Sequence, residues 1–306
     1  MPFQTLLAIN YKRNEPNKRY QLNQLYRMDN LEFKNLTAEE FEEYRKNHHE
    51  GEFLVIDVRQ ESEYELGHIP GAKLIPLSEV EAGLFSLPSD KDLIFYCSNG
   101  GRSQWAASLA GEGEVCQKSV YNLMGGILSW QGVSLTGYPK LQVFDMSQEL
   151  DRLLRAAMNL EKGAWRFYRF AGDRYSDQLI GRTFEQIAIA EKSHATLIYR
   201  FWQKLETGPP PFEQLYQGLS GEILEGGQSL EEACSMLQAK AGRSCPEAVD
   251  LALEIEYTAF DLYRSMAERI AESEARETFL ALAQAEKAHM RALARGIAQC
   301  PDRQTG

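Results

Sequence analysis

The chain has 306 residues, of which 43% are hydrophobic and 25% are charged, a composition typical of a globular protein long enough for two domains. The formal net charge of −11 argues against a nucleic-acid partner, and no apolar run approaches the roughly 20 residues of a membrane span. Five cysteines without regular spacing argue against a secreted disulfide framework. Because the first residues also lack the pattern of a signal peptide, we predict a cytoplasmic protein.

The N-terminal part of the chain divides into an extension and a first domain. Residues 1–27 are locally basic and have no clear periodicity, so we interpret them as a flexible extension. Residues 28–140 follow, and from residue 31 short apolar strands alternate with helical stretches, which indicates a parallel α/β sheet. The predicted strands are 53–57, 73–75, 93–96 and 119–122, and the predicted helix starts are capping boxes from Thr37 to Glu40 and from Ser78 to Glu81.

A cysteine-containing loop follows the third predicted strand and precedes a helix. Cys97 therefore ends a buried strand and faces the N–H groups of the loop and a helix N-terminus, which favour a thiolate and can hold an anion. Gly100 and Gly101 allow the loop to curl so that its amides converge. The pattern predicts a nucleophilic sulfur in an anion pocket. The alternative is a small buried hydrophobe, the role of most free cysteines.

The length of the loop after Cys97 and the segments around it are both distinctive. Arg102 follows Cys97 by five residues, whereas phosphatases of a related fold place the arginine six residues after the cysteine. The flanking segments are Ile56-Asp57-Val58-Arg59, Tyr64, Gly67-His68-Ile69-Pro70-Gly71-Ala72, Leu123-Met124-Gly125-Gly126-Ile127-Leu128-Ser129-Trp130 and Gly137-Tyr138-Pro139. The shorter loop and these segments resemble the rhodanese sulfurtransferases, and the resemblance covers about 110 residues.

The resemblance implies roles for individual residues. Cys97 would attack a sulfane-sulfur donor, become a persulfide and pass the sulfur to a thiol or another acceptor, while Arg102 helps to hold the loop and its charge. Asp57 and Arg59 are expected to brace the fold. Ser98 stands where thiosulfate-using relatives often have a basic residue, so we expect a persulfide or polysulfide to be the better donor. The residues expected to hold the persulfide are Ser98, Asn99, Gly100, Gly101, Arg102 and Ser103.

The second predicted domain, residues 147–300, follows a linker at 141–146 and is helical. Apolar residues recur at intervals of three and four along four stretches without proline, as in long amphipathic helices. Antiparallel hairpins are predicted to turn near Gly172-Asp173 and Glu272-Ser273. The predicted helices are 148–172, 178–205, 247–271 and 275–298, with a long connection at 206–245 and capping boxes from Ser229 to Glu232 and from Ser244 to Glu247.

The same carboxylate and imidazole pattern occurs twice in this domain. A glutamate is followed 30 residues later by Glu-x-x-His, and the whole pattern recurs after 95 residues, with matching flanks, as an internal duplication of a helical hairpin. Residues three apart share one face of a helix, and hairpins turning midway bring all six side chains to one level. The six are Glu161, Glu191 and His194, then Glu256, Glu286 and His289.

Four carboxylates buried together repel one another unless cations join them. Oxygen and imidazole ligands without thiolate suit iron or manganese, so the six residues predict a site for two metal ions; the alternative is solvated surface glutamates. Residues 147–298 resemble a ferritin-like di-iron domain of the rubrerythrin group, in which such ligands converge in a four-helix bundle. The predicted architecture is an α/β rhodanese-like parallel sheet domain followed by an all-α ferritin-like four-helix bundle.

Two functions are compatible with the sequence. The first is a sulfurtransferase fused to a di-iron oxidase or peroxidase, with a sulfane-sulfur donor, a thiol acceptor and an external electron donor as partners. The second is a persulfide carrier, or a redox-sensing, iron-sensing or iron-binding protein, without rapid turnover at the metals. Rubrerythrins often carry a further carboxylate where this chain has Ala259, and many carry paired Cys-x-x-Cys motifs that are absent here; both departures favour the second function.

Further expectations concern assembly and the remaining cysteines. The resemblance implies a homodimer, while the net charge and the lack of a long apolar run predict no nucleic-acid or membrane partner. We expect Cys116, Cys234, Cys245 and Cys300 to act as small hydrophobes, with a redox pair of Cys234 and Cys245 as the alternative.

Overall fold

A computed structural model describes residues 33–112, 116–238, 244–298 and 300, so the predicted extension at 1–27 lies outside the described residues. The first domain is a parallel five-stranded sheet of order β1-β5-β4-β2-β3. The four predicted strands are confirmed with small shifts at their ends, and the structure contains a further strand, β1, that was not predicted. The strands are β1 (Lys34–Leu36), β2 (Phe53–Asp57), β3 (Lys73–Leu74), β4 (Asp92–Tyr96) and β5 (Val120–Leu123).

Helices cover the sheet, whose inner strands β2 and β4 are buried along almost their whole length, as expected for a parallel sheet. The capping box at Thr37 is confirmed. The capping box at Ser78 is wrong: the helix begins at Leu77, directly after Pro76, so Ser78 lies inside its first turn. The helices are α1 (Ala38–Asn47), α2 (Glu61–Leu66), α3 (Leu77–Gly83), α4 (Gly101–Glu112) and α5 (Gly126–Ser129).

The second domain contains four long helices, which pack as two antiparallel hairpins, and two short helices in the connection between them. The capping boxes at Ser229 and Ser244 are confirmed. Among the described residues, no helix is long and apolar enough to cross a membrane. The helices are α6 (Leu150–Arg174), α7 (Leu179–Leu205), α8 (Phe212–Gly218), α9 (Leu230–Gln238), α10 (Cys245–Arg269) and α11 (Ser273–Ile297).

The first hairpin turns slightly later than predicted. Gly172 lies inside α6, and a Cβ atom there would stand 3.0 Å from the Cγ atom of Glu185 on α7. This glycine therefore serves the close approach of the two helices and does not end the first one. Residues 141–143 of the predicted linker form a short 3-10 helix, and Phe144 is buried edge-on against Phe279 in the bundle.

Two cysteines differ from expectation. Cys245, at the start of α10, forms a disulfide with Cys300, beyond the end of α11. The prediction that these two act as unpaired hydrophobes is wrong, and so is the alternative that pairs Cys245 with Cys234, which is free. The antiparallel course of α10 and α11 brings the two ends together, although 55 residues separate the cysteines in sequence.

The two domains meet across a buried polar interface. Glu50, just before β2, accepts hydrogen bonds from Arg264 of α10 at 3.0 Å and from Lys287 of α11 at 2.9 Å. Nearby, Asp261 of α10 accepts a bond of 2.7 Å from the backbone N–H of Gly71 and lies 3.3 Å from the His68 ring. All of these groups except Gly71 have charged or ionisable side chains, and they are buried. Burial of such groups is costly unless they are paired, so the pairs across the interface offset the cost of bringing the domains together.

Candidate functional site

Cys97 directly follows β4, at the carboxyl edge of the parallel sheet, and is fully buried. The backbone N–H of Gly100 donates to its sulfur at 3.2 Å, and the Ser103 hydroxyl lies 3.4 Å from the same atom. Burial alone would raise the pKa of the Cys97 thiol, but these two donors and the amides of Ser103 and Asn99 outweigh it and lower the pKa. The loop therefore favours a thiolate.

A glycine pair holds this loop against the end of β5. The backbone N–H of Ile127 donates to the Cys97 carbonyl at 2.8 Å. A Cβ atom on Gly126 would stand only 2.2 Å from that carbonyl oxygen, so no larger residue fits between β5 and the loop without moving it. The predicted Gly125-Gly126 match is thus a support for the Cys97 loop.

Arg102 is held by a carboxylate that the sequence did not reveal. Its guanidinium forms two hydrogen bonds of 2.7 Å with Glu63 of α2, and a third of 2.8 Å with the Ser98 hydroxyl. The bonds from Arg102 lower the pKa of Glu63 to about 2, so the pair stays ionised across the physiological range. Arg102 also interacts electrostatically with the Cys97 sulfur. Since 39 residues separate Glu63 from Arg102, no local spacing could have indicated this pair.

Asp57 and Arg59 lie beside the loop and bind each other. The Arg59 guanidinium donates to the Asp57 carboxylate at 2.7 to 3.0 Å and to the Gly67 carbonyl at 2.6 Å. Both side chains are buried, as is expected of a pair that braces the fold.

The structure brings all six predicted metal ligands together inside the four-helix bundle, where every one is buried. One ligand atom from each member of the two Glu-x-x-His motifs lies within 4.8 Å of the others. These motifs stand on α7 and α11, while α6 and α10 supply one glutamate each. The inner four are Glu191, His194, Glu286 and His289, and the outer two are Glu161 and Glu256.

The outer glutamates divide the site into two halves. The Nδ1 atom of His194 lies 3.2 Å from Glu161, and the Nδ1 atom of His289 lies 3.1 Å from Glu256. Between the halves, Glu191 lies 3.0 Å from the His194 ring and 3.2 Å from the His289 ring. Glu286 also faces both rings, at 3.7 and 3.0 Å. This geometry gives each half one histidine and one glutamate, with two carboxylates shared between the halves.

Two tyrosines outside the predicted ligand set support the outer glutamates. The Tyr263 hydroxyl donates to Glu161 at 2.5 Å, and the Tyr168 hydroxyl donates to Glu256. Each tyrosine lies seven residues after one of these glutamates, and in the folded bundle each binds the glutamate of the other copy. Tyr168 and Tyr263 occupy matching positions in the duplicated segments, so the sequence alone could have indicated their shared role.

The electrostatics of this cluster fit a pair of cations. Burial raises the pKa of Glu161 to about 7 and, together with repulsion from Glu191 and Glu256, raises the pKa of Glu286. At Glu191 the two ligand histidines outweigh burial and lower the pKa. Carboxylates in such surroundings lose their protons when a metal ion binds. Because the donors are carboxylate oxygens and imidazole nitrogens that converge on a buried centre, the residues present fit two ions of the iron or manganese type.

Comparison with known proteins gives one family match in each domain. The model of the rhodanese-like domain matches residues 40–132, and the rubrerythrin model matches residues 152–220 and 247–304. The protein YqhL of Bacillus subtilis, described as uncharacterized, is 40% identical over 100 residues, which span 32% of this chain and 73% of YqhL. A sulfurtransferase of Allochromatium vinosum is 36% identical over 78 residues, which span 25% of this chain and 70% of that protein. The solved structure of a rhodanese-like domain protein from Staphylococcus aureus is 26% identical, with a TM-score of 0.29, and its match covers 32% of this chain and 91% of that one.

Proposed function

The chain belongs to the rhodanese-like family through its first domain and to the rubrerythrin family through its second, and we propose that it is a sulfurtransferase that carries sulfur as a persulfide on Cys97. The observation that carries this proposal is the Cys97 sulfur, which receives hydrogen bonds from the loop and has a lowered pKa. The similar protein of Allochromatium vinosum is itself named a sulfurtransferase.

The proposed transfer needs no external oxidant or reductant. The Cys97 thiolate attacks the outer sulfur of a donor R–S–SH, a new S–S bond forms on Cys97, and the donor leaves as the thiolate R–S⁻. An acceptor thiolate then attacks the outer sulfur of the Cys97 persulfide, which regenerates the Cys97 thiolate and leaves the acceptor as a persulfide. The loop amides hold the negative charge on sulfur at each stage, as donors around an anion do in other sites.

Intact mass measurement after incubation with persulfide, polysulfide or thiosulfate donors tests the sulfur half. We expect the mass to increase by one sulfur atom in the native protein, and the increase to disappear in Cys97→Ser. The matched control is Cys116→Ser, which removes a free cysteine outside the loop. No increase with any donor in the native protein would refute the transferase function, and an increase that survives Cys97→Ser would place it on another residue.

We propose that the second domain holds two iron or manganese ions on the six ligand residues. Bound iron would supply the electrons for the reduction of oxygen or a peroxide and would draw on an external electron donor for further turnover. Tyr168 and Tyr263 orient Glu256 and Glu161 by donating hydrogen bonds to them, a role that supporting residues commonly have around metal sites.

Elemental analysis after anaerobic loading tests the metal half. We expect about two ions per chain, and a lower value in Glu286→Ala because this carboxylate faces both histidines. The control is Glu277→Ala, which removes an exposed glutamate from the same helix. A native stoichiometry near zero would refute the metal site.

A persulfide carrier or iron-sensing protein is the second candidate function. The observation that favours it is Ala259, which is buried one helical turn after Glu256 and leaves α10 without a further carboxylate at that level. Reoxidation of the reduced protein by oxygen or peroxide, first in a single turnover and then with a reductase present, separates the two functions. Reoxidation without continued turnover supports sensing or storage.

A further inference from the structure

One buried carboxylate near the metal centre belongs to neither copy of the duplicated motif. Glu225 lies in the connection between α7 and α10, and the residue is 2% exposed. Its Oε2 atom has no hydrogen-bond partner in the part of the chain that the structure describes. A buried carboxylate oxygen without a partner is costly, so it requires an explanation.

Glu225 stands at a tight turn with a defined support. The backbone N–H of Gly227 donates to the Leu224 carbonyl at 2.8 Å, and the N–H of Leu224 donates to the Gln228 carbonyl at 2.9 Å. An antiparallel bridge between Ile223 and Ser229 closes the base of the turn. The turn therefore fixes the direction of the Glu225 backbone.

One face of α6 is built to receive the connection that leads into this turn. Asn159 accepts a bond of 3.0 Å from the N–H of Gly221, and Arg166 donates to the Ser220 carbonyl at 2.7 Å. Between them, a Cβ atom on Gly163 would stand 2.3 Å from the Ile223 carbonyl oxygen. Residues 159, 163 and 166 share one face of the helix, so a single stripe anchors the connection.

The other side of the turn rests on α10. A Cβ atom on Gly226 would lie 3.3 Å from the Thr258 side chain. Thr258 is the counterpart of Gly163 in the duplicated sequence, and each lies two residues after the outer glutamate of its copy. The turn is thus wedged between α6 and α10 at the level of the outer glutamates.

The charges around Glu225 also indicate that it lies near the metal ligands. Burial, and then repulsion from Glu161, Glu191 and Glu286, raises the pKa of Glu225 well above its ordinary value. The Tyr263 hydroxyl, which binds Glu161, also interacts with the Glu225 charge. A cation bound at the centre would give this carboxylate a partner and offset the cost of its burial.

We propose that Glu225 is a fifth carboxylate ligand of the metal centre, supplied by the connection between α7 and α10. The helices offer no further carboxylate one turn after the outer glutamates, because those positions are Ala164 and Ala259. Four ligand carboxylates balance two divalent ions when both histidines are neutral. The fifth makes the centre more negative, which favours ions of higher charge. The inference rests on the proposed metal site.

Anaerobic Co²⁺ titration of the full-length protein tests this role, with calorimetry for affinity and visible absorption for coordination. In Glu225→Gln we expect the affinity for one of the two ions to fall by at least about 10- to 100-fold, the loss typical of groups that support a metal ligand. We also expect the absorption spectrum of the bound Co²⁺ to change. The matched control is Glu222→Gln, an exposed glutamate in the same connection, which should leave both unchanged.

A second pair of variants moves the turn without changing its carboxylate. Gly163→Ala places a Cβ atom against the Ile223 carbonyl, so it should displace the turn and weaken Co²⁺ binding as Glu225→Gln does. Gly218→Ala places its Cβ atom in open space and should leave Co²⁺ binding unchanged.

The melting temperature of the metal-free protein is a further readout. Metal-free Glu225→Gln should melt no lower than the native protein, because it loses a buried carboxylate without a partner. A lower melting temperature with unchanged Co²⁺ affinity would mean a structural role and overturn the inference.

The outcomes separate this inference from the proposed function. If the native protein binds no Co²⁺, the metal site itself fails and the inference fails with it. If the native protein and Glu225→Gln both bind two ions with equal affinity and the same spectrum, the metal site stands and only the role of Glu225 is refuted.

Discussion

Replacement of Glu50 by alanine should uncouple the two domains and destabilise the protein. Glu50 is buried at the interface and accepts hydrogen bonds from two cations, at 3.0 Å from Arg264 and 2.9 Å from Lys287. Both cations are themselves buried, so removal of the carboxylate leaves two buried positive charges with fewer partners. Loss of one member of a buried ion pair typically costs about 3 to 5 kcal/mol.

The structure places the expected cost within this range. Arg264 retains Glu268 at 3.0 Å and the Phe53 carbonyl at 2.7 Å, and Lys287 retains the Arg45 carbonyl. These remaining partners limit the penalty, so we expect about 3 kcal/mol for Glu50→Ala at pH 7. Because the lost contact joins the domains, the unfolding of the first domain should separate from that of the second.

Urea unfolding followed by circular dichroism, with calorimetry on the same samples, measures both effects. The control is Glu39→Ala, an exposed glutamate on α1, which should change the free energy of unfolding by no more than about 0.5 kcal/mol. A cost below about 1 kcal/mol for Glu50→Ala, with a single unchanged transition, would refute the reasoning.

The pH dependence gives an independent check. Burial alone would raise the pKa of Glu50, but Arg264 and Lys287 outweigh it and hold the pKa below the ordinary value. A carboxyl with a depressed folded-state pKa stabilises the protein above its unfolded pKa, near 4.3, and loses that contribution as the pH falls through the folded value. The stability difference between the native protein and Glu50→Gln should therefore be constant near neutrality and shrink below about pH 4.3.

Three further predictions concern the sulfur loop and the disulfide. The rate of Cys97 alkylation should stay high below the ordinary thiol pKa of about 8.5, because the loop favours the thiolate. Ser103→Ala removes a donor to the sulfur and should raise the pH at which the alkylation rate is half-maximal. Gly126→Ala should reduce sulfur loading of Cys97, measured by intact mass, because its Cβ atom would collide with the Cys97 carbonyl. Replacement of Cys300 by serine should lower the free energy of unfolding by up to about 4 kcal/mol, measured in urea, because its disulfide with Cys245 closes a long loop.

The sequence predicted the parts of both sites that depend on local spacing. Glu-x-x-His fixes two side chains on one helix face, and the doubled 30-residue interval brings the hairpins into register, so six metal ligands could be predicted without a structure. The Cys97 loop was equally accessible, because a strand, a glycine pair and a helix start within seven residues define its shape. In each case the decisive geometry lies within one or two consecutive elements.

Features that join distant segments were not predicted. Strand β1 is only three residues long and largely exposed, so it carries no apolar alternation. Glu225 lies three residues after the exposed Glu222 in the same connection, and neither its spacing nor its flanks distinguish it. Its burial depends on how a turn docks on α6 and α10. The disulfide likewise depends on the ends of two long helices, since spacing in sequence does not set the distance between two cysteines.

The interface between the domains explains why three charged residues on the bundle helices are buried. A bundle helix needs one apolar face, so Asp261 and Arg264 on α10 and Lys287 on α11 would ordinarily be assigned to solvent. All three are buried, because the first domain covers the side of these helices that the bundle leaves open. Lys287 directly follows the metal-site residue Glu286, and the two side chains leave α11 toward different domains. Removal of the first domain would expose this face and strip Lys287 of its partner Glu50, so the metal centre has to be studied in the full chain.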